Sequence, residues 1–241
     1  MINLMPFHGL FPRSRRHFVC RAGISLALLF LLLCCTRPAW AEDLLFKILD
    51  GIKKRYDSLP GLTIPYERDV VTRSMALLDD SIKSDLAEGY IHFKPPGLLR
   101  IDQEKPRPEL VVSDGQTLWW YIPEKKEVYQ YPKDKLGPEL KLLTDIFQGL
   151  REVADGFIVE LTDSEENGRR DLRLTPNPPW PEIDFIHLSV SQEDYTIRSV
   201  KLHNYLGGFT RFTLGDLEVK KGFQKGFFQF TVPQGVKVVT E

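Results

Sequence analysis

Hydrophobic and polar positions change period several times along this chain. Over residues 43–59, Leu44, Leu45, Ile48, Leu49, Ile52 and Tyr56 recur at spacings of three and four, which predicts an amphipathic helix, and Pro60-Gly61 ends it. From about 63 to 131 the period falls to two. Short branched or aromatic runs at 90–93, 98–101, 110–112 and 117–122 are separated by turn residues and predict strands of an antiparallel meander. Ser113-Asp114-Gly115-Gln116 predicts a tight hairpin, because Asp-Gly supplies the positive φ angles such turns need. Trp119 and Trp120 are neighbours in one strand and should face opposite ways; Trp120 shares parity with Leu118 and Ile122 and is expected inside.

Helical spacing returns after Gly137-Pro138, with Leu140, Leu143, Ile146, Phe147 and Leu150 on one stripe and Pro138 in the first turn. Strand-like runs resume at 157–161, 171–174, 184–190, 197–203, 209–214, 217–219 and 227–232, with turns at 165–168 and 205–208. The run Asn177-Pro178-Pro179-Trp180-Pro181 is excluded from a central strand, since proline donates no ladder hydrogen bond.

Before all of this comes a segment of another kind. Arg13, Arg15, Arg16 and Arg21 precede an almost unbroken apolar run over 22–35, followed by Arg37 and Ala39-Trp40-Ala41. Basic stretch, apolar core and A-x-A together read as a signal peptide, with cleavage expected after Ala41 and the periplasm as destination. The apolar run falls short of the roughly 20 residues that span a bilayer, so a retained anchor is the weaker reading, as is lipidation at Cys34 or Cys35 behind large neighbours. Ser14-Arg15-Arg16-His17-Phe18 fits the twin-arginine route and the Leu28–Leu33 core the ordinary secretory one.

Removing 41 residues from 241 leaves 200, residues 42–241, a length suited to one domain. All three cysteines (Cys20, Cys34, Cys35) lie in the leader, so no disulfide is available to the remainder. Five of the 32 basic residues and none of the 33 acidic ones are in the leader, which leaves 27 against 33, or −6. That balance argues against nucleic acid as a partner. His92, His187 and His203 are widely separated, without metal-ligand spacing, and each reads as a satisfied polar residue of a strand face. No nucleophile elbow, phosphate loop or cysteine nucleophile is present. Carboxylate pairs such as Asp79-Asp80 and Glu165-Glu166 read as solvated charge, although the carboxylate geometry of a glycosidase is invisible in sequence. The expectation is therefore no catalytic residue, no metal and no cofactor.

What remains is a mainly β, α+β domain with two amphipathic helices over an apolar sheet face. Periodicity does not separate a filled core from an apolar pocket, because the sheet face looks the same in both.

Residues 110–128, LVVSDGQTLWWYIPEKKEV, resemble the signature of the periplasmic lipoprotein carrier family LolA, with a strand, Ser-Asp-Gly, a Leu-Trp-aromatic-Tyr strand and a proline. Residues 89–100, GYIHFKPPGLLR, resemble the family's preceding strand pair, and 230–236, FTVPQGV, its C-terminal strand and turn. The resemblance implies an incomplete antiparallel β-barrel whose concave apolar face is covered by helices. It also implies a monomeric carrier that accepts acylated lipoproteins from an inner-membrane lipoprotein-release ABC transporter complex. The carrier shields their acyl chains across the periplasm and delivers them to an outer-membrane receptor where one is present. Burying an acyl chain gains about 0.8 kcal/mol per CH₂, so an aqueous crossing calls for an apolar host and no covalent chemistry.

On this reading the cavity and its cover comprise Leu98, Leu110, Val112, Leu118, Trp120, Ile122, Leu143, Ile146, Phe147, Leu150, Phe212 and Phe230. Residues 138–150 form a movable cover helix. Two departures stand out. Lys94-Pro95-Pro96 replaces the family's Lys-Arg-Pro, so the arginine that hydrogen-bonds the covering helices becomes Pro95, and Ile101 stands where tryptophan is frequent. Pro95 and Arg100 are accordingly the lid-contact candidates. Two other readings stay open: a sensor of lipids or lipoproteins on the same scaffold, which usually carries a further domain, and a secreted hydrolase, for which no nucleophile can be named.

Overall fold

The structure, a computed structural model, describes residues 39–77, 85–132, 138–150, 153–164 and 166–240. The leader's basic and apolar stretches, Asp79-Asp80 and Glu165 lie outside the described residues, as do the side chains of Leu140 and Leu143. The chain divides into Met1–Asp43 and a second unit, Leu44–Glu241, which holds the sheet and every side-chain contact described below.

Helix α1 (Ala39–Asp57) leads into β1 (Leu62–Val71) and a short α2 (Arg73–Leu77). Five strands follow: β2 (Asp85–Lys94), β3 (Leu98–Lys105), β4 (Glu109–Ser113), β5 (Thr117–Ile122) and β6 (Glu127–Pro132). After α3 (Pro138–Phe147) and α4 (Val153–Gly156) comes a second meander of β7 (Phe157–Thr162), β8 (Arg169–Pro176), β9 (Ile183–Ser191), β10 (Ile197–Asn204) and β11 (Phe209–Leu214). Two short pieces, β12 (Glu218–Val219) and β13 (Lys237–Thr240), complete the chain.

All of these strands join one sheet in the order β13-β6-β5-β4-β3-β2-β1-β11-β10-β9-β8-β7, with β12 against β1. The two meanders meet where β1 pairs β11, and β7 and β13 form open ends among the described residues. The barrel is therefore incomplete. Every pairing is antiparallel except β13 on β6, which is parallel and had no signal in the sequence.

The expected hairpin at 113–116 forms as read: Asp114 Oδ1 accepts from the N–H groups of Gln116 and Thr117, both at 2.9 Å, and Gly115 adopts φ 88°. The expected strand at 227–232 does not form. Its phenylalanines are spent as anchors across the sheet, at spacings that no ladder would give, so its backbone stays irregular.

Cross-strand register sorts the side chains into two faces. On the inner face Leu62, Ile64, Ile91, Phe93, Leu99, Leu172, Leu174, Ile186, Leu188, Val200 and Leu202 are buried. The stripe Ile48, Ile52 and Tyr56 of α1 and Leu142, Ile146 and Phe147 of α3 join them in one core. Fully burying each such side chain contributes about 1.5–3 kcal/mol. Among the described residues, no helix is long and apolar enough to cross a membrane.

Candidate functional site

The space between helices and sheet is where an apolar ligand would have to go, and here side chains fill it. Phe147 of α3 packs its ring 5.7 Å from that of Phe93 on β2. The backbone after α3 turns through Gly149 (φ 78°) and Leu150 (φ 52°). A Cβ on Gly149 would lie 3.0 Å from Lys53 Cα of α1, so glycine is what lets the two covers approach. Helix α1 is seated in a similar way at Gly51, where a Cβ would lie 2.5 Å from the ring of Tyr195 in the β9–β10 hairpin. Tyr56 completes the seat by accepting a hydrogen bond from the Ile197 N–H at 3.1 Å. Burial pushes the Tyr56 phenol up to about 12, so it stays neutral.

The end of α3 is tied to the sheet through the residue that follows it. The side-chain amide of Gln148 donates to the Pro96 carbonyl in the β2–β3 turn at 3.2 Å. Pro95 is exposed beside that acceptor. Arg100 points away from the helices, which removes it from the lid: its register partner Val112 lies on the outer face, and its guanidinium engages Asp102 and the Phe227 carbonyl there.

The residues expected around one cavity divide between the two faces. Leu118, Trp120, Ile122 and Phe212 lie on the inner face, and Ile146, Phe147 and Leu150 lie under the cover. Trp120 stacks obliquely on Tyr129 at 5.5 Å and donates its indole N–H to Glu109 at 2.9 Å. Leu98, Leu110, Val112 and Phe230 belong to the outer face. The register forces this: Val112 lies opposite Trp119 and Leu110 opposite Tyr121, one residue out of step with Trp120. A small cavity of about 220 Å³ opens on the inner side between α1 and β8–β9, lined by Leu44, Ile48, Val190 and Tyr195 with Lys47 and Arg170 at its edge.

The outer face carries a feature the sequence did not announce. Residues 223–230 lie across β2–β5, with Phe230 against Trp119 and Tyr121 at 6.2 and 5.8 Å. Phe223 and Phe227 present their rings to His92, at 6.2 and 5.1 Å. Arg100 lies 4.8 Å from the Phe227 ring centre and donates to its carbonyl at 3.2 Å. Beneath them Thr63 hydrogen-bonds His92 Nδ1 at 2.9 Å, and His92 Nε2 lies 3.3 Å from Asp102. Burial alone would raise the Asp102 carboxyl, but hydrogen bonds from His92 and Arg100 and the guanidinium charge hold it at about 2. This is a hydroxyl–imidazole–carboxylate chain, yet Arg100 takes both carboxylate oxygens at 2.8 Å and the imidazole packs under two phenyl rings. The network clamps the C-terminal segment. Beside it lies an open groove of about 770 Å³, bordered by Tyr90, His92, Asp102, Leu110 and Tyr121. The clustering of Phe223, Phe227, Phe228 and Phe230 was the available signal, obscured by its lack of period.

Residues 78–231, which is 154 of the 241, match the family described as outer membrane lipoprotein carrier protein LolA. The outer-membrane lipoprotein carrier protein of Azotobacter vinelandii is 28% identical over 156 residues, covering 64% of this chain and 72% of that protein. Its counterpart in Neisseria meningitidis serogroup B is 22% identical over 194 residues, covering 80% and 86%. A LolA superfamily protein of Nitrosomonas europaea superposes with TM-score 0.44 and 11% identity over 76% of this chain and 96% of its own. With well over half of its length matched, the chain belongs to the LolA family of outer membrane lipoprotein carrier proteins.

Proposed function

We propose that this protein is a periplasmic carrier that holds the acyl chains of lipoproteins between its helices and the inner sheet face. It would take them from an inner-membrane ABC-type release complex and deliver them to an acceptor at the outer membrane. Residues 1–41 serve as the export signal, cleaved after Ala41, and 42–241 form the single carrier domain. The observation that carries the reading is the combination of family membership with an apolar inner face closed by two helices whose apolar stripes join its core.

Loading exchanges one apolar partner for another. Acyl chains displace α3, take over its contact with Phe93 and lie along Leu118, Trp120, Ile122 and Phe212 of the inner face, while Ile146, Phe147 and Leu150 fold back over the ligand. Each buried CH₂ contributes about 0.8 kcal/mol, which offsets the lost helix–sheet packing. No bond is made or broken, so neither a catalytic group nor a cofactor is required.

The test compares one lipoprotein in acylated and unacylated forms. The purified protein should form a soluble complex with the acylated form alone and release that form from membranes holding the ABC complex. Equal binding of both forms would assign recognition to the polypeptide and overturn the carrier reading.

A further inference from the structure

Among the described residues of the second unit, the most exposed large apolar side chain is Leu206, at 78%, and its neighbour Tyr205 is 54% exposed. Both sit at the tip of the β10–β11 hairpin, a turn built to hold its shape. Asn204 Oδ1 accepts from the N–H groups of Leu206 (3.0 Å) and Gly208 (2.9 Å), and the Asn204 carbonyl accepts from Gly207 at 3.1 Å. Gly207 supplies φ 84°, and a Cβ on Gly208 would lie 2.7 Å from the Val71 carbonyl. A rigid turn that projects two apolar side chains into water has no folding reason to do so.

The surroundings are cationic. Arg73 runs beside Gly207, its Cδ 3.6 Å from where a Cβ would stand. Lys201 and Arg211 face each other across β10–β11 on the outer face, two residues from the His203–Phe209 pair that borders the turn. Arg173 lies two strands beyond Lys201, on β8, opposite His187 of β9. Lys201 and Arg173 lie over the rings of Phe209 and Phe185 at 4.1 and 3.9 Å, which holds their charges near the face. Among the described residues nearest the turn, Asp69 pairs with Arg211 and Glu160 stands opposite Arg173, two carboxylates against four cations; Glu67 and Asp171 follow one row further from the turn, and Leu86, 53% exposed, extends the apolar surface. The described residues at this end of the face carry an excess of cations on a chain whose residues after 41 carry a net −6.

We infer that the Tyr205-Leu206 hairpin and the Arg73, Arg173, Lys201, Arg211 face form a docking surface for an anionic phospholipid bilayer. Tyrosine and leucine enter the headgroup region, tyrosine being suited to its amphipathic environment, while the cations meet lipid phosphates. The inference goes beyond the carrier reading and does not depend on it, since it requires bare lipid and no cargo.

The chain after residue 41 is free of cysteine, so Leu206→Cys can bear an environment-sensitive fluorophore. Phosphatidylcholine vesicles with and without phosphatidylglycerol are the probe. The labelled protein should blue-shift and co-sediment with the anionic vesicles at low salt, and much less at high salt. Leu206→Asp should weaken vesicle binding by on the order of ten-fold or more. Lys201→Gln and Arg173→Gln should each weaken it by about five-fold, and all of these surface variants should melt like the parent. Binding equal on neutral and anionic vesicles, no binding at all, or an unaffected Leu206→Asp would overturn the inference. Association only with vesicles bearing membrane proteins would do so too, by assigning the surface to a protein partner.

Discussion

Gln148 Nε2 donates a hydrogen bond to the carbonyl oxygen of Pro96 at 3.2 Å, tying the residue after helix α3 to the β2–β3 turn. In this bond the turn accepts and the cover donates, and Pro95 stands next to the acceptor in the chain. A near-surface hydrogen bond contributes about 0.5–1.5 kcal/mol. Gln148→Ala should therefore raise the open population roughly two- to ten-fold. Hydrogen exchange over 138–150 should quicken, and lipopeptide capture with it. Pro95→Arg, adding a donor beside the same acceptor, should act oppositely, slowing capture and speeding release. Tighter retention by Pro95→Arg with the fold intact would show that closure does not oppose loading.

Trp119 and Trp120 report on different sides of one strand. With the remaining tryptophans replaced, the Trp120 probe should respond to an acyl ligand through its inner-face contact with Tyr129, and the Trp119 probe should not. Phe230→Ala should instead shift Trp119, whose outer-face neighbour it removes. A ligand response confined to Trp119 would move the binding site to the outer face.

Arg100→Ala should free the C-terminal segment. It removes the bond to the Phe227 carbonyl, the contact with its ring and both hydrogen bonds to Asp102, at a cost of about 2 kcal/mol and a Tm lower by roughly 4–8 °C. Tryptic cleavage at Lys221 and Lys225 should accelerate. Lys at position 100 should not rescue, since a point charge cannot hold two carboxylate oxygens in a fork. Unchanged cleavage would show that the phenylalanines alone hold the segment.

His203 stacks on Phe185 at 4.2 Å, and burial, then the charges of Lys201, His187 and Arg173, push its imidazole down to about 4. It is neutral in the folded protein at pH 7. Between the ordinary value of 6.5 and about 4 the unfolded chain binds the extra proton, so stability is full above 6.5 and falls as pH drops through this window. Asp102 adds a second loss, from 3.8 toward about 2, as its ion pair is protonated. Denaturation midpoints measured across pH should show the first decline flattened in His203→Phe and the second in Asp102→Asn. A His203→Phe profile parallel to the parent's would place the first proton elsewhere.

Local period settled much of this molecule. The stripe Ile48, Ile52, Tyr56 could bury only as one side of a helix, Asp114-Gly115 could turn only tightly, and the alternation of Leu118, Trp120 and Ile122 placed them together against Trp119. Those outcomes depend on contacts a few residues apart. Period two, however, says that a strand has two faces without saying which face its neighbour shares. Leu110 and Val112 joined Trp119 and Tyr121 because the hairpin register put them there. The outer face is apolar in this half because residues 223–230 return from the far end of the chain to cover it. The parallel β13, the outward turn of Arg100 and the Gln148–Pro96 contact belong to the same class. Each joins residues roughly 50 or more positions apart, and pairing at that range is decided by which surfaces remain open once the sheet and its helices have packed.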